Sequence, residues 1–160
     1  MPPDAVQKPQ SRHVFALRVY FEDTDAGGIV YYANYFKFAE RARTEFLRVL
    51  GADHSGLMAN EGVMMTVKRC EAEFVAPARL DDVVEVHTRI EEIGGASLWL
   101  DQRILRGRDE LARLRVRLAC VSRDLKPAKL PPRLLAALAP PRLTAARYRS
   151  SVTQARAPKG

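Results

Sequence analysis

Alternation of apolar and polar residues through the second half of the chain constrains the fold more than any other feature. Period-two alternation with one polar face is typical of antiparallel strands that are covered on one side. Turn signals at Gly94-Gly95 and at residues 107–110 separate the segments, and these links are too short for the crossovers that parallel strands need. The apolar positions are Val84, Val86, Thr88 and Ile90, then Leu98, Leu100 and Ile104, then Leu114, Val116, Leu118 and Cys120.

One long helix is predicted upstream of these strands. From Tyr35 the apolar residues recur at spacings of three and four up to Leu50, and Gly51 is a natural stop. A first strand is expected at residues 14–21, a short second helix at 53–60 and a less regular strand at 63–75. The sequence therefore predicts an α+β fold in which one helix covers one face of a five-stranded antiparallel sheet.

The length and charge distribution indicate a single domain with polar ends. The chain has 160 residues, of which 47% are hydrophobic, enough for one core. We place the domain at residues 12–142, because residues 1–11 are rich in proline and residues 143–160 form a basic tail; both ends are expected to be disordered. The sequence contains no nucleic-acid-binding motif and no apolar run long enough to be a transmembrane segment. We therefore predict a cytoplasmic protein with no nucleic-acid partner.

The cysteines and histidines do not form a recognisable metal site. Cys70 and Cys120 lie in strand-like segments without ligand spacing, and His13, His54 and His87 are scattered. We expect two buried free thiols, and neither a metal nor a cofactor.

The segment EDTDAGGIVYYANYFKF, residues 22–38, places two carboxylates and a glycine pair directly before the helix. The N-terminus of a helix carries unpaired N–H groups and a partial positive charge, which favour an anion or a developing oxyanion. A carbonyl held there would be polarised, with Asp25 a few residues away. The alternative is that Asp23 and Asp25 only form a turn or cap the helix.

The same segment, together with FVAPARLDDVVEV and GGASLWLDQRI further along the chain, closely resembles the hot-dog-fold acyl-CoA thioesterases of the 4-hydroxybenzoyl-CoA thioesterase type. The most similar subgroup is that of the thioesterases associated with the Tol-Pal envelope system. The resemblance covers about residues 13–135. It implies a hot-dog fold, in which a five-stranded antiparallel sheet wraps around one long helix.

The resemblance also implies roles for individual residues. Asp25 corresponds to the catalytic carboxylate, and the backbone N–H of Tyr32 corresponds to the donor that binds the thioester carbonyl. The substrate-binding positions that it implies are Gly28, Ile29, Val30 and Tyr31. The implied partners are an acyl-CoA substrate, with acyl carrier protein as the alternative carrier, and further copies of the chain. Dimers of this family place the loop at the subunit interface and commonly pair into tetramers.

Thioester hydrolysis suits these residue types. A thiolate is a good leaving group, so no Ser-His-Asp triad is required, and none is visible in the sequence. Asp25 could act as a general base on water or attack the carbonyl itself, and the sequence leaves both open. Backbone N–H groups from Val30 to Tyr32 would stabilise the oxyanion. The alternative function is a non-catalytic scaffold that binds an acyl thioester or acyl carrier protein.

Other charged residues have simpler interpretations. Glu40 and Glu45 are expected to pair with arginines one turn away on the helix. A ladder of arginines at positions 113, 115 and 117 could meet the phosphates of coenzyme A or form a solvated strand face. Trp99 has the opposite phase to its apolar neighbours and is a candidate for a subunit interface.

Overall fold

The computed structural model describes residues 12–138, and these form one sheet with one long helix against it. The predicted ends at residues 1–11 and 143–160 lie outside the described residues. In chain order the elements are β1 (Arg12–Arg18), α1 (Ala33–Val49), α2 (His54–Gly56) followed by a π-helical turn (Leu57–Glu61), β2 (Val63–Phe74), β3 (Val83–Ile93), β4 (Ser97–Arg106), β5 (Asp109–Ser122) and α3 (Pro132–Leu138).

The sheet has the strand order β1-β3-β4-β5-β2, and every neighbouring pair is antiparallel. Tight turns join β3 to β4 and β4 to β5, as the glycine signals predicted. β2 lies at the edge beyond β5, so the chain must cross the sheet through residues 75–82 to reach β3 at the other side. That crossing segment passes beside the start of α1.

The core lies between α1 and one face of the sheet, where α1 packs against β1, β3 and β4. The predicted strand phases are correct: Val84, Val86, Leu114 and Val116 are completely buried on the helix-facing side. From α1, Phe38, Ala39 and Ala42 are completely buried against them. The apolar side chains that alternate along the strands and those that recur at spacings of three and four along the helix thus pack together in a single apolar layer.

Three expectations need correction. The first strand ends at Arg18, and Phe21 instead begins a 3₁₀ turn (Phe21–Asp23) in which the Asp23 carboxylate accepts a hydrogen bond from the N–H of Tyr20 at 2.8 Å. The proline-rich end contains the unpredicted helix α3, which begins at a proline, a favoured first position, and buries Leu134 and Leu138. Cys70 is exposed, whereas Cys120 is buried as expected.

Both ends of α1 are close to the predicted positions. The helix begins at Ala33, two residues earlier than expected, and ends at Val49, with Gly51 in the left-handed region at φ 75°. None of the helices within residues 12–138 is long and apolar enough to cross a bilayer. The same residues contain no cluster of three or more His, Cys, Asp or Glu side chains arranged to hold a metal ion.

Candidate active site

The residues Thr24–Val30 form a narrow loop that leads into α1, and we call it the acid loop. Thr24 and Val30 form an antiparallel bridge at its base. Inside the loop, the N–H of Asp25 donates to the carbonyl of Ile29 at 2.8 Å, and the N–H of Gly28 donates to the carbonyl of Asp25 at 3.0 Å. These backbone hydrogen bonds therefore fix the conformation of the loop without a ligand.

The two glycines are required by that shape. Gly28 has φ 77°, a conformation that other residues rarely adopt. Gly27 donates its N–H to Oδ1 of Asp25 at 2.8 Å, and a Cβ at this position would lie only 3.1 Å from the same oxygen. The glycine pair thus lets the loop fold closely around the Asp25 side chain.

The two acids of the loop region have different environments. Asp23 is buried, its carboxylate accepts the N–H of Tyr20, and it therefore has the capping role that we weighed for it. Asp25 is exposed, and its Oδ1 accepts N–H groups of Gly27 at 2.8 Å and Ile29 at 3.4 Å. Its Oδ2 has no hydrogen-bond partner within residues 12–138. Asp25 is thus positioned by one oxygen and keeps the other available.

The start of α1 has few backbone donors to spare. The N–H of Val30 donates to Ala78, and that of Tyr31 donates to the carbonyl of Asp23, at 2.9 and 3.0 Å. Neither group is available as an oxyanion donor, which corrects the expectation that the whole stretch would serve. The N–H of Tyr32, which precedes the first helical residue, has no acceptor among residues 12–138. It is the donor that the resemblance implied.

Contacts from distant parts of the chain fix the loop against the helix. The side-chain amide of Asn34 donates to the carbonyl of Asp23 at 2.8 Å, and both residues are buried. The N–H of Ala78 donates to the Tyr35 hydroxyl at 3.0 Å, while its carbonyl accepts from Val30. Sequence reasoning did not find these supports, although the Ala78 segment lies within the FVAPARL stretch that carries the resemblance.

Aromatic side chains surround the exit from the acid loop. The Phe74 ring at the end of β2 lies 5.8 Å from Tyr32, 5.6 Å from Tyr35 and 6.1 Å from Phe36, measured between ring centroids. Tyr32 and Phe74 remain about half exposed, at 56% and 47%. Together they form an exposed aromatic patch at the start of α1, a surface suited to apolar contact, which consists of Tyr31, Tyr32, Phe36 and Phe74.

A cleft of about 330 Å³ continues from this patch between α1 and β2. We call it the helix cleft. Phe36 belongs to both the patch and the cleft, which is lined further by Lys37, Glu40 and Arg43 of α1 and by Val67 and Cys70 of β2. Partial burial raises the pKa of the Cys70 thiol, although the Arg43 charge opposes this shift. This shift favours the thiol of Cys70 over its reactive thiolate.

The other charged candidates separate into two groups. Glu45 pairs with Arg48 at 3.6 Å, as expected, whereas Glu40 makes no ion pair within residues 12–138 and lines the cleft. On the outer face of the sheet, Arg113 and Arg115 form ion pairs with Asp101 and Glu91. These ion pairs favour the interpretation of the arginines as a solvated strand face over the interpretation as a phosphate-binding ladder.

Comparison with known proteins identifies the family. Residues 19–138 match the model of the thioesterase-like superfamily. The chain belongs to the thioesterase-like superfamily. A member from Escherichia coli O6:H1, the acyl-CoA thioester hydrolase YbgC, is 45% identical over 122 residues, which cover 75% of this chain and 90% of that protein.

Solved structures agree with this assignment. A probable thioesterase from Bartonella henselae has a TM-score of 0.73 and 38% identity, and covers 75% of this chain and 99% of the other. A 4-hydroxybenzoyl-CoA thioesterase bound to 4-hydroxybenzoyl-CoA has a TM-score of 0.76 at 21% identity, covering 81% and 100%, and shows the shared fold. The predicted hot-dog fold and the predicted enzyme class, a thioester hydrolase, are confirmed.

Proposed function

We propose that this thioesterase-family protein hydrolyses an acyl-CoA to a carboxylic acid and free coenzyme A at the junction of the acid loop and α1. The observation that carries the proposal is that two groups of one short segment, the acid loop and the residues that lead from it into α1, are unused. These are the Oδ2 atom of Asp25 and the backbone N–H of Tyr32. An acyl-transfer site needs one group to activate or replace water and one to receive negative charge on the carbonyl oxygen.

The reaction can follow either of two routes at this site. In the first, Asp25 removes a proton from water as the water oxygen attacks the thioester carbonyl. In the second, the Asp25 oxygen attacks the carbonyl to form a mixed anhydride, which water then hydrolyses. In both, the Tyr32 N–H stabilises the oxyanion, the C–S bond breaks, and the thiolate leaves and takes a proton.

Release of free thiol from a panel of short, long and aromatic acyl-CoAs tests the function. We expect turnover of at least one member, and no release from any of them would contradict the proposal. Hydrolysis in ¹⁸O-labelled water tests the second route. Label in the Asp25 carboxylate after repeated turnover shows that Asp25 is the nucleophile and that water attacks its carbonyl in the anhydride, because a general base stays unlabelled.

We include a homo-oligomer in this proposal, built on the dimer and extending to a tetramer. β2 is an edge strand that pairs only with β5 within residues 12–138, and the aromatic patch at its end is exposed. An unpaired edge next to exposed aromatic rings is typical of a surface that a second copy covers. The cytoplasmic location, acyl carrier protein as an alternative carrier and the Tol-Pal association stay predictions from the sequence.

Light scattering at micromolar concentration tests the oligomer, and a monomer would contradict it. Phe74→Asp should weaken association, since it puts a charge into the aromatic patch. Leu125→Asp is the matched control, because Leu125 is 68% exposed and lies outside the patch. Equal effects of the two substitutions would place the interface elsewhere.

A further inference from the structure

Arg43 differs from the other arginines of the structure. Of those within residues 12–138, only Arg43 and Arg106 are not exposed. Arg106 forms an ion pair with Asp82 at 2.7 Å. Arg43 has no carboxylate within ion-pair distance among the described residues, although burial lowers its pKa and so indicates that its charge has lost part of its hydration. Arginine nevertheless stays charged, so Arg43 is a partly desolvated cation that forms no direct ion pair among the described residues, although the charge of Glu40, beyond ion-pair distance, opposes the shift of its pKa.

The position of Arg43 is fixed by a buried polar chain. Its Nη1 donates to Oε1 of Gln102 at 2.9 Å, and Gln102 is completely buried. The amide nitrogen of Gln102 donates in turn to the Ala39 carbonyl and the Thr88 hydroxyl, both at 3.0 Å. With both amide donors used, the oxygen of Gln102 must face Arg43. The guanidinium is therefore held in one place between the helix and the sheet.

The remaining donors of Arg43 are accessible, and the residue lines the helix cleft. A guanidinium has five N–H groups, and the structure records one bond from them, to Gln102. No Arg43 nitrogen is both buried and without a partner, so the unused donors are accessible, and Arg43 lines the cleft. The cleft also contains Lys37 and Glu40, which leaves a net charge of +1. The site thus has the charge and the donors for one carboxylate.

We infer that the helix cleft binds the acyl group of the substrate and that Arg43 pairs with a carboxylate at its far end, so that the preferred substrates are dicarboxylic acyl-CoAs. This inference rests on the proposed function, because it takes the thioester carbonyl to lie at the Tyr32 N–H. Phe36 joins the cleft to the aromatic patch that contains Tyr32. The Cα atoms of Tyr32 and Arg43 are about 16 Å apart along the helix axis. The Arg43 side chain leans back toward the helix N-terminus. The distance that an acyl chain must cover between the Tyr32 N–H and the guanidinium is therefore shorter than the distance between the Cα atoms.

Matched acyl-CoA pairs test the inference. Glutaryl-CoA and pentanoyl-CoA have five-carbon acyl chains and differ in a terminal carboxylate or methyl group, and a series from succinyl- to suberyl-CoA varies the length. We expect kcat/KM to be about tenfold to a hundredfold higher for the carboxylate at the best length, the scale of a charge-assisted hydrogen bond. Arg43→Met should lower kcat/KM for glutaryl-CoA far more than for pentanoyl-CoA and so remove the preference, and Arg41→Met, on the exposed side of the same helix, should leave the preference unchanged.

The outcomes separate this inference from the function itself. Equal or faster hydrolysis of pentanoyl-CoA by the wild type, or an equal loss of both activities in Arg43→Met, overturns the dicarboxylic preference but leaves a thioesterase. Hydrolysis of no acyl-CoA overturns the function. Should Arg43→Met unfold, Arg43→Lys keeps a cation and should retain part of the preference. Calorimetry with Asp25→Asn gives a readout without turnover, in which glutaryl-CoA should bind more tightly than pentanoyl-CoA; equal affinity contradicts the inference.

Discussion

The outer face of the sheet and the start of α1 are both rich in charged or polar groups, but those groups are used differently. On the outer face, Asp101 is buried and lies 3.1 Å from Arg113 and 3.7 Å from both Arg89 and Arg103. Arg115 bonds to a glutamate and covers the Trp99 ring at 4.1 Å. At the start of α1, the Oδ2 atom of Asp25 and the backbone N–H of Tyr32 have no partner among the described residues.

This difference indicates which charges hold the fold and which are free for chemistry. A carboxylate surrounded by three guanidinium groups has its charge compensated within the protein, so a cationic ligand would have to compete with existing contacts. A carboxylate that is anchored through Oδ1 and open at Oδ2 is both positioned and available. We therefore expect substitutions in the two regions to affect different measurements.

The largest expected effect is that of Asp25→Asn on turnover. Asparagine is nearly isosteric, and its oxygen can still accept the N–H of Gly27, so the acid loop should keep its shape. Removal of the carboxylate should lower kcat by at least about a hundredfold, the usual scale for a lost acid–base group. Thiol release measures the rate, and thermal unfolding checks that the fold is intact. Near-normal turnover would remove Asp25 from the catalytic role.

Asp101→Asn should show the opposite pattern. The substitution leaves three arginines close together without their anion, and we expect the free energy of unfolding to fall by about 1–3 kcal/mol, moderated because those arginines can regain water. Turnover should change little. Denaturant unfolding measures the loss, with Glu91→Gln as the control: the Glu91 side chain is 25% exposed, against 6% for Asp101, and that substitution should cost at most about 1 kcal/mol.

If Asp101→Asn lowers kcat as much as Asp25→Asn does while stability stays unchanged, the outer face is not structural. The distinction between filled and free charges would then fail, and a ligand role for the arginines of β5 would have to be reconsidered.

Much of the fold could be predicted because its signals are local. Alternation predicted the inner faces of β3, β4 and β5 correctly, and spacing with a glycine stop predicted α1 to within two residues at its start. α3 was not predicted, because the prolines around it exclude a strand and obscured a helix that starts at Pro132. Cys70 has the phase of an inward residue, but β2 is an edge strand, so its inner face opens into the helix cleft.

The site was predictable in part for the same reason. The glycine pair beside two acids indicates the loop, but the use of the Val30 and Tyr31 donors depends on the carbonyls of Ala78 and Asp23, one of which belongs to the segment that crosses from β2 to β3. The bond between Arg43 and Gln102 also depends on packing between separate elements. Such contacts are set by the sheet topology, and local residue patterns do not show which distant segments the topology brings together.

The smallest expected effect is a change in the pH dependence of stability. It concerns His13, a residue outside both of the regions compared above. His13 lies on the inner side of β1 and stacks on Phe46, with ring centroids 5.5 Å apart. Within residues 12–138 its Nδ1 atom is buried without a hydrogen-bond partner. Burial lowers the pKa of His13 below its ordinary value of 6.5, although Glu45 opposes that shift. The Nδ1 atom of His13 therefore differs from both earlier cases: it makes no contact that stabilises the fold, and it is not accessible to a ligand.

The lowered pKa means that the unfolded chain binds a proton at His13 more readily than the folded protein does. Stability should therefore fall as pH drops from 6.5 toward the folded pKa, and it should be unaffected by this group above 6.5. His13→Phe keeps a ring against Phe46 and removes the titration, so its stability should fall less between pH 7 and pH 5 than that of the wild type. At pH 8, where the histidine is neutral, the difference in the free energy of unfolding between the variant and the wild type measures the change in packing alone. Parallel curves on the acid side would show that protonation of His13 does not oppose folding.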